Sequence, residues 1–211
     1  MSTSVARVVV CLEEVGAEYE RVDIDFAAKE HRASPDHLNR NPFGQFPAFQ
    51  DGDLLLLESR AIGRYILRKY KTGDVDLLRE GNPRDAAMVD MATEVEAHQY
   101  TPAISPIVYE CIFHPAMRGT PASTKVVDES LEKLRKVLEV YEARLGGGAP
   151  PPRLSYFPFT FYFMVTPYAP LFDEYPRVKG WWERLAARPS VRKLAAGMAI
   201  SPEAIRRSFN G

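Results

Sequence analysis

Asp51-Gly52 lies between two short apolar runs, Pro47 to Phe49 and Leu54 to Leu57, and a turn dipeptide so placed predicts a tight β-hairpin. Two short strands do not hold together alone, so a helix or further strands must cover one face. The following residues supply a helix: Ile62, Tyr65, Ile66 and Tyr70 recur at helical spacing, with Arg60, Arg64 and Arg68 on the wetter side. Upstream, Val5, Val8, Val9, Leu12 and Val15 fit one face of a helix that Gly16 is placed to cap. Val22, Ile24 and Phe26 alternate with Asp23 and Asp25, as in a half-buried strand. The order helix, strand, short helix or loop, hairpin, helix predicts most of a thioredoxin-like α/β module over residues 1–70, without its opening strand.

The pattern changes after Tyr70. Residues 71–80, with Gly73, read as a polar linker that gives way at Gly81 and Pro83 to an all-helical module over 81–211. There Val127, Leu131, Leu134, Leu138, Tyr141 and Leu145 mark one face of a packed helix. Gly146-Gly147-Gly148 and Pro150-Pro151-Pro152 interrupt the chain ahead of an aromatic stretch from Tyr156 to Phe172, and an amphipathic segment follows around Trp181, Trp182 and Leu185.

Composition removes several classes of partner. With 27 basic and 28 acidic residues and a net charge of -1, the chain has no field to draw in nucleic acid or an anionic membrane. Val5 to Leu12 is broken by Arg7 and has neither the length of a membrane span nor the basic leader of a signal peptide. Cys11 and Cys111 share no motif spacing and make no disulfide framework, which points to a reducing, cytoplasmic setting. His98 and His114 are too isolated to suggest a metal site.

The chemistry concentrates between Asn41 and Ile62. In Asn41-Pro42-Phe43-Gly44-Gln45-Phe46-Pro47-Ala48 a proline opens an extended run, and a cis Phe46-Pro47 bond is expected. It would turn the N–H and C=O of Phe46 outward, where they can pair with the backbone of a small bound peptide. Glu58 and Ser59 stand where the apolar run gives way to a helix, so free N–H groups, a hydroxyl and a positive dipole end suit a carboxylate. Each residue also has an ordinary reading. Ser59 alone is a helix cap, Glu58 a helix-start charge, Pro47 a trans proline at a strand edge, His31 and Arg32 solvated loop residues, and Ser2 a loose terminus.

Taken together, Ser2 to Arg7, Glu30-His31-Arg32, Asn41 to Ala48, Glu58-Ser59-Arg60-Ala61-Ile62 and Pro176 to Trp182 resemble the plant phi-class glutathione S-transferases. The resemblance spans nearly the whole chain. It implies a thioredoxin-like N-terminal domain plus an all-α C-terminal domain, and an enzyme conjugating glutathione to hydrophobic electrophiles in detoxification or secondary metabolism. It also implies a cytosolic homodimer, with glutathione as co-substrate and no cofactor or metal. By the same resemblance Ser2 is the catalytic hydroxyl, and His31 and Arg32 approach the glycyl carboxylate. Gln45, the Phe46 backbone and Pro47 hold the cysteinyl part, and Glu58 and Ser59 hold the γ-glutamyl end. Phe43 occupies a loop where relatives present an apolar side chain to a partner subunit.

Such a site must stabilise a thiolate. Lowering a thiol pKa from about 8.5 by about 2 units takes about 2.7 kcal/mol. One hydroxyl donating to a charged acceptor supplies about 1.5 to 3 kcal/mol.

Two features depart from the family pattern. The family carries a strand ahead of the serine that this sequence does not show, so neighbouring strands are expected to lack partners, Ser2 to be poorly held and conjugation to be weak. Gly146 to Arg153 stands where relatives carry a Ser-x-x-Asp capping box, worth about 1 kcal/mol as a cap. The alternative function is a non-catalytic carrier of glutathione and hydrophobic small molecules.

Overall fold

A computed structural model of the chain describes residues 1–25, 28–71, 76–147 and 154–198. Helix α1 (Thr3–Val15) buries Ala6, Val8, Val9, Val10, Leu12 and Val15, and stops at Gly16, whose φ of 64° lets its N–H bond back to Glu13 and Leu12. Two short helices follow, α2 (Glu30–Ala33) and α3 (Pro35–Arg40). The second has Pro35 at its first position and a Ser34 hydroxyl accepting from the His37 N–H.

Strands β1 (Phe49–Asp51) and β2 (Leu54–Leu56) pair antiparallel, with Gln50 opposite Leu55. Their loop is Gly52-Asp53, with Gly52 at φ 62°, so Asp51 belongs to the strand. From there its carboxylate accepts hydrogen bonds from Tyr65, Lys69 and Tyr70 at 2.8, 2.7 and 2.6 Å, tying the hairpin to α4 (Ser59–Lys69).

The alternation at Val22 and Ile24 does not become a strand. Residues 21–25 have no regular structure, Val22 is 66% exposed, and Phe26 lies outside the described residues. A strand exists only through a neighbour's backbone, and among the described residues the sheet is β1 and β2 alone.

Beyond Asn82, whose side chain caps its N-terminus, α5 (Pro83–Val95) runs on through α6 (Thr101–Val108) to α7 (His114–Arg118). Two π-helical turns, Glu96–Tyr100 and Tyr109–Phe113, join them. Pro102 and Pro115 account for the widening, because a proline ring clashes with the carbonyl four residues back, here His98 and Cys111, one inside each widened turn. Helix α8 (Thr124–Gly146) buries Val127, Leu134, Leu138 and Tyr141 from the expected face. Gly148 and Pro150 to Pro152 lie outside the described residues, as does part of the proposed linker.

Helices α9 (Phe157–Phe163), α10 (Pro176–Ala186) and α11 (Pro189–Met198) follow among the described residues. Tyr156, Phe157, Phe159, Tyr162 and Phe163 are buried, so the aromatic run is mostly core. Helix α1 packs against α4 and also against α9 and α11, placing its polar residues at the junction of the two parts.

Candidate active site

The loop before β1 is braced from inside. Gly44 sits at φ 59°, and a Cβ there would come within 3.0 Å of the His31 carbonyl, so only glycine lets this loop lie against α2. Asn41, 3% exposed, donates from Nδ2 to the Gln45 carbonyl at 2.8 Å and accepts the Phe43 N–H at 3.1 Å. His37 Nε2 lies 3.0 Å from the same Gln45 carbonyl and carries the proton there, since a carbonyl only accepts. The rings of His31 and His37 flank Phe46 at 5.2 and 5.3 Å, and the Phe46-Pro47 bond is cis, as the sequence predicts. His31 and Pro47 are buried and Phe46 is half-buried, while Arg32 and Gln45 are exposed.

At the start of α4, Glu58 is the residue outside the helix, at φ 66° and exposed, and Ser59 is the first helical one, buried. Ser59 therefore does not cap. Its Oγ accepts a hydrogen bond from Arg7 Nη1 at 2.8 Å, which leaves its own proton available to an acceptor at the helix N-terminus. Arg7 Nε donates to the Ser155 carbonyl at 3.1 Å, and Nη2 lies 3.5 Å from Glu96 Oε1.

Glu96, 1% exposed, opens the first π-helical turn. Arg60 grips it with Nε at 2.5 Å and Nη2 at 3.0 Å, and Thr101 donates at 2.5 Å. Arg7 and Arg60 thus share one carboxylate, and the buried group carries a net positive charge behind Ser59. Burial pulls the Arg7 pKa down, with Glu96 acting the other way.

Arg7, Glu96, Thr101 and His37 brace the candidate site, and the motif reading passed over them. One signal was present, since Arg7 is a charge inside the apolar run Val5 to Leu12, and a buried charge demands partners. Glu96 gave none.

Ser2 is exposed and precedes α1. Its carbonyl accepts the Ala6 N–H at 2.9 Å, and its side chain makes no capping bond. Tyr162 donates from its hydroxyl to the Met1 carbonyl at 3.4 Å, and the Phe113 ring meets Tyr162 edge-on at 5.0 Å, so an aromatic wall stands beside Met1. A cavity of about 370 Å³ is lined by Arg7 and, of the predicted site residues, by Ser59 alone. Among the described residues no group of His, Cys, Asp and Glu is placed to hold a metal ion. Cys11 and Cys111 are both buried, which pushes each thiol up to about 12.

Residues 1–68 match the glutathione S-transferase N-terminal domain. Over 205 residues, 94% of the chain, the sequence is 71% identical to the probable glutathione S-transferase GSTF1 of Oryza sativa subsp. japonica, of which it covers 93%. The chain belongs to the plant phi class of the glutathione S-transferases. Glutathione S-transferase 1 of Triticum aestivum shares 55% identity over 210 residues, covering 94% of this chain and 91% of the relative. Maize glutathione S-transferase I in complex with an atrazine glutathione conjugate superposes with a TM-score of 0.86 at 51% identity, covering 95% of both chains. The fold is that of the glutathione S-transferases, a thioredoxin-like domain followed by a helical one, and the chain is a glutathione transferase.

Proposed function

We propose that this transferase holds glutathione across the braced loop and the start of α4 and passes its thiolate to hydrophobic electrophiles lying against the Phe113–Tyr162 wall. One observation carries the reading: Ser59 keeps its proton for an incoming carboxylate because Arg7 already donates to its oxygen, and the net positive charge of Arg7, Arg60 and Glu96 stands behind it. Glu58 takes the amino group of the γ-glutamyl end. The Phe46 backbone and Gln45 hold the cysteinyl part, with Pro47 shaping the loop, and His31 and Arg32 serve the glycyl end, Arg32 as the exposed partner. Ser2 stabilises the thiolate.

The chain works as a cytosolic homodimer in detoxification, with Phe43, 74% exposed, as the apolar contact offered to the second copy. No helix among the described residues is long and apolar enough to cross a membrane. In the reaction the thiolate forms a C–S bond to the electrophilic carbon while the leaving group departs with the electrons of the bond that breaks.

Calorimetric titration of glutathione and turnover with 1-chloro-2,4-dinitrobenzene test this assignment. Ser59→Ala is expected to weaken glutathione binding by about 1 to 3 kcal/mol, the loss for an unanswered buried ligand group. An unchanged dissociation constant removes Ser59 from the site. Ser2→Ala is expected to abolish the turnover this chain shows while leaving glutathione affinity within about twofold, because a thiolate-stabilising group acts on reactivity more than on binding. A variant as fast as the parent removes Ser2 from the reaction.

A further inference from the structure

An α-helix sets the third and fourth residues beyond a side chain against it, and the wider π-helical turn at Tyr109–Phe113 sets the fourth and fifth there. The Tyr109 ring accordingly meets Phe113 at 5.2 Å and His114 at 5.8 Å. The widening thus brings an imidazole to the outer end of the aromatic wall, which runs from Tyr109 through Phe113 to Tyr162 and the Met1 carbonyl.

Glu110 fixes how that imidazole is presented. Its Oε2 accepts the Ser123 N–H at 2.8 Å, and its Oε1 lies 3.1 Å from His114 Nδ1. A carboxylate only accepts, so Nδ1 carries the proton of the neutral ring and Nε2 keeps a lone pair. Among the described residues nothing bonds Nε2, and with the His114 side chain 28% exposed a ligand can reach it. A held and unanswered acceptor at the end of an apolar wall recognises a donor on an aromatic body. A phenol offers both.

We propose that His114 is a specificity-determining residue for the electrophile and Glu110 its positioning residue, together favouring aromatic electrophiles with a phenolic hydroxyl remote from the carbon attacked. The phenol donates to Nε2 while its ring lies along Tyr109 and Phe113, and the reacting end stays at Tyr162 beside Met1. This inference rests on the placing of the electrophile against the Phe113–Tyr162 wall.

The test conjugates glutathione to 3'-hydroxychalcone and to 3'-methoxychalcone, which differ in the donor. In each the thiolate forms a C–S bond to the β-carbon, the π electrons move to the carbonyl oxygen, and water supplies the proton that completes the ketone adduct. Divided by the uncatalysed rate, kcat/KM for the hydroxyl compound should exceed that for the methoxy compound about fivefold, the worth of one hydrogen bond. His114→Phe should abolish the preference, and His114→Gln, which keeps an acceptor oxygen, should retain part of it. Glu110→Gln is the sharper variant. Its oxygen stays on the Ser123 N–H and its amide donates to Nδ1, so the ring proton moves to Nε2 and the preference should vanish with His114 still in place. Where turnover is too slow to measure, the dissociation constants of the two purified adducts supply the same ratio. No preference in the parent, or one that survives His114→Phe or Glu110→Gln, overturns the proposal. Phe113→Ala separates this failure from that of the wall: it should weaken both chalcones alike. If it does so while the His114 variants change nothing, only the present inference falls; if it moves neither compound, the electrophile does not lie against the wall and both readings fall.

Discussion

From Pro83 to Met198 most of the backbone satisfies itself inside helices, and Tyr100, Tyr156, Phe163 and Trp181 fill the space between them. Among the described residues between Ala17 and Glu58 only two strands of three residues pair, and polar side chains tie the segment together: Asn41 and His37 on the Gln45 carbonyl, and Asp51 on Tyr65, Lys69 and Tyr70. Apolar area spread over many contacts tolerates the loss of any one. A loop held by a few directional bonds has a shape that depends on each of them, and that shape is what a peptide ligand reads. Where the two parts meet, on α1 and the first π-helical turn, the means combine in a buried carboxylate inside an apolar junction.

The largest expected effect is at that junction. Glu96→Ala leaves Arg7 and Arg60 facing each other without their shared carboxylate, and removing one partner of a buried ion pair costs about 3 to 5 kcal/mol. Urea denaturation should show a loss comparable to Leu134→Ala in the helical core, where a Leu-to-Ala cavity costs about 2 to 5 kcal/mol. A loss under about 1 kcal/mol would mean that water replaces the carboxylate, and that the junction is not dry.

A smaller effect, but a more specific one, is expected in the loop. Asn41→Ala removes one of the two donors to the Gln45 carbonyl and the acceptor for the Phe43 N–H, at a cost of about 1 to 2 kcal/mol. The helical part should not register it, so the denaturation midpoint moves little while calorimetry shows weaker glutathione binding. If the midpoint moves and the affinity does not, the loop is structural and holds no ligand.

What could be read in advance follows the same division. Periodicity locates α1, α4 and α8 because their apolar faces are local facts of the sequence, and Gly16 and the turn after Asp51 mark ends for the same reason. The cis Phe46-Pro47 bond was legible because a proline constrains the backbone locally, whereas His37 and Asn41 on the Gln45 carbonyl were not. The expected strand does not form at Val22 to Asp25, the part of it among the described residues, because alternation describes a face and says nothing of whether a neighbour stands beside it. Arg7 and Glu96 lie 89 residues apart and meet only through packing, so no spacing rule could pair them. Ser59 was placed correctly at the helix start, yet the group that sets its hydroxyl's direction comes from another helix.

The smallest effect, and the most local, concerns Asp51. Hydrogen bonds from Lys69, then Tyr70 and Tyr65, hold its carboxyl down at about 2. An unfolded aspartate titrates near 3.9, so the folded value is the lower one, and the stabilisation is complete above about pH 5 and lost as pH falls toward 2. Asp51→Asn removes that dependence, because an amide does not ionise and cannot pair with Lys69. Amide exchange, corrected for its intrinsic pH dependence, should show protection at Gln50 and Leu55 falling in the parent between about pH 5 and pH 2, and low and flat in the variant. Helix α8 should be indifferent in both, since its buried face is apolar apart from Ser130 and Tyr141 and neither titrates in that window. Equal loss in the hairpin and α8 would mean that the two parts unfold as one unit. Parent protection as high at pH 2.5 as at pH 6 would mean that β1 and β2 are held by their cover of side chains, and that the Asp51 tie is a consequence of the fold.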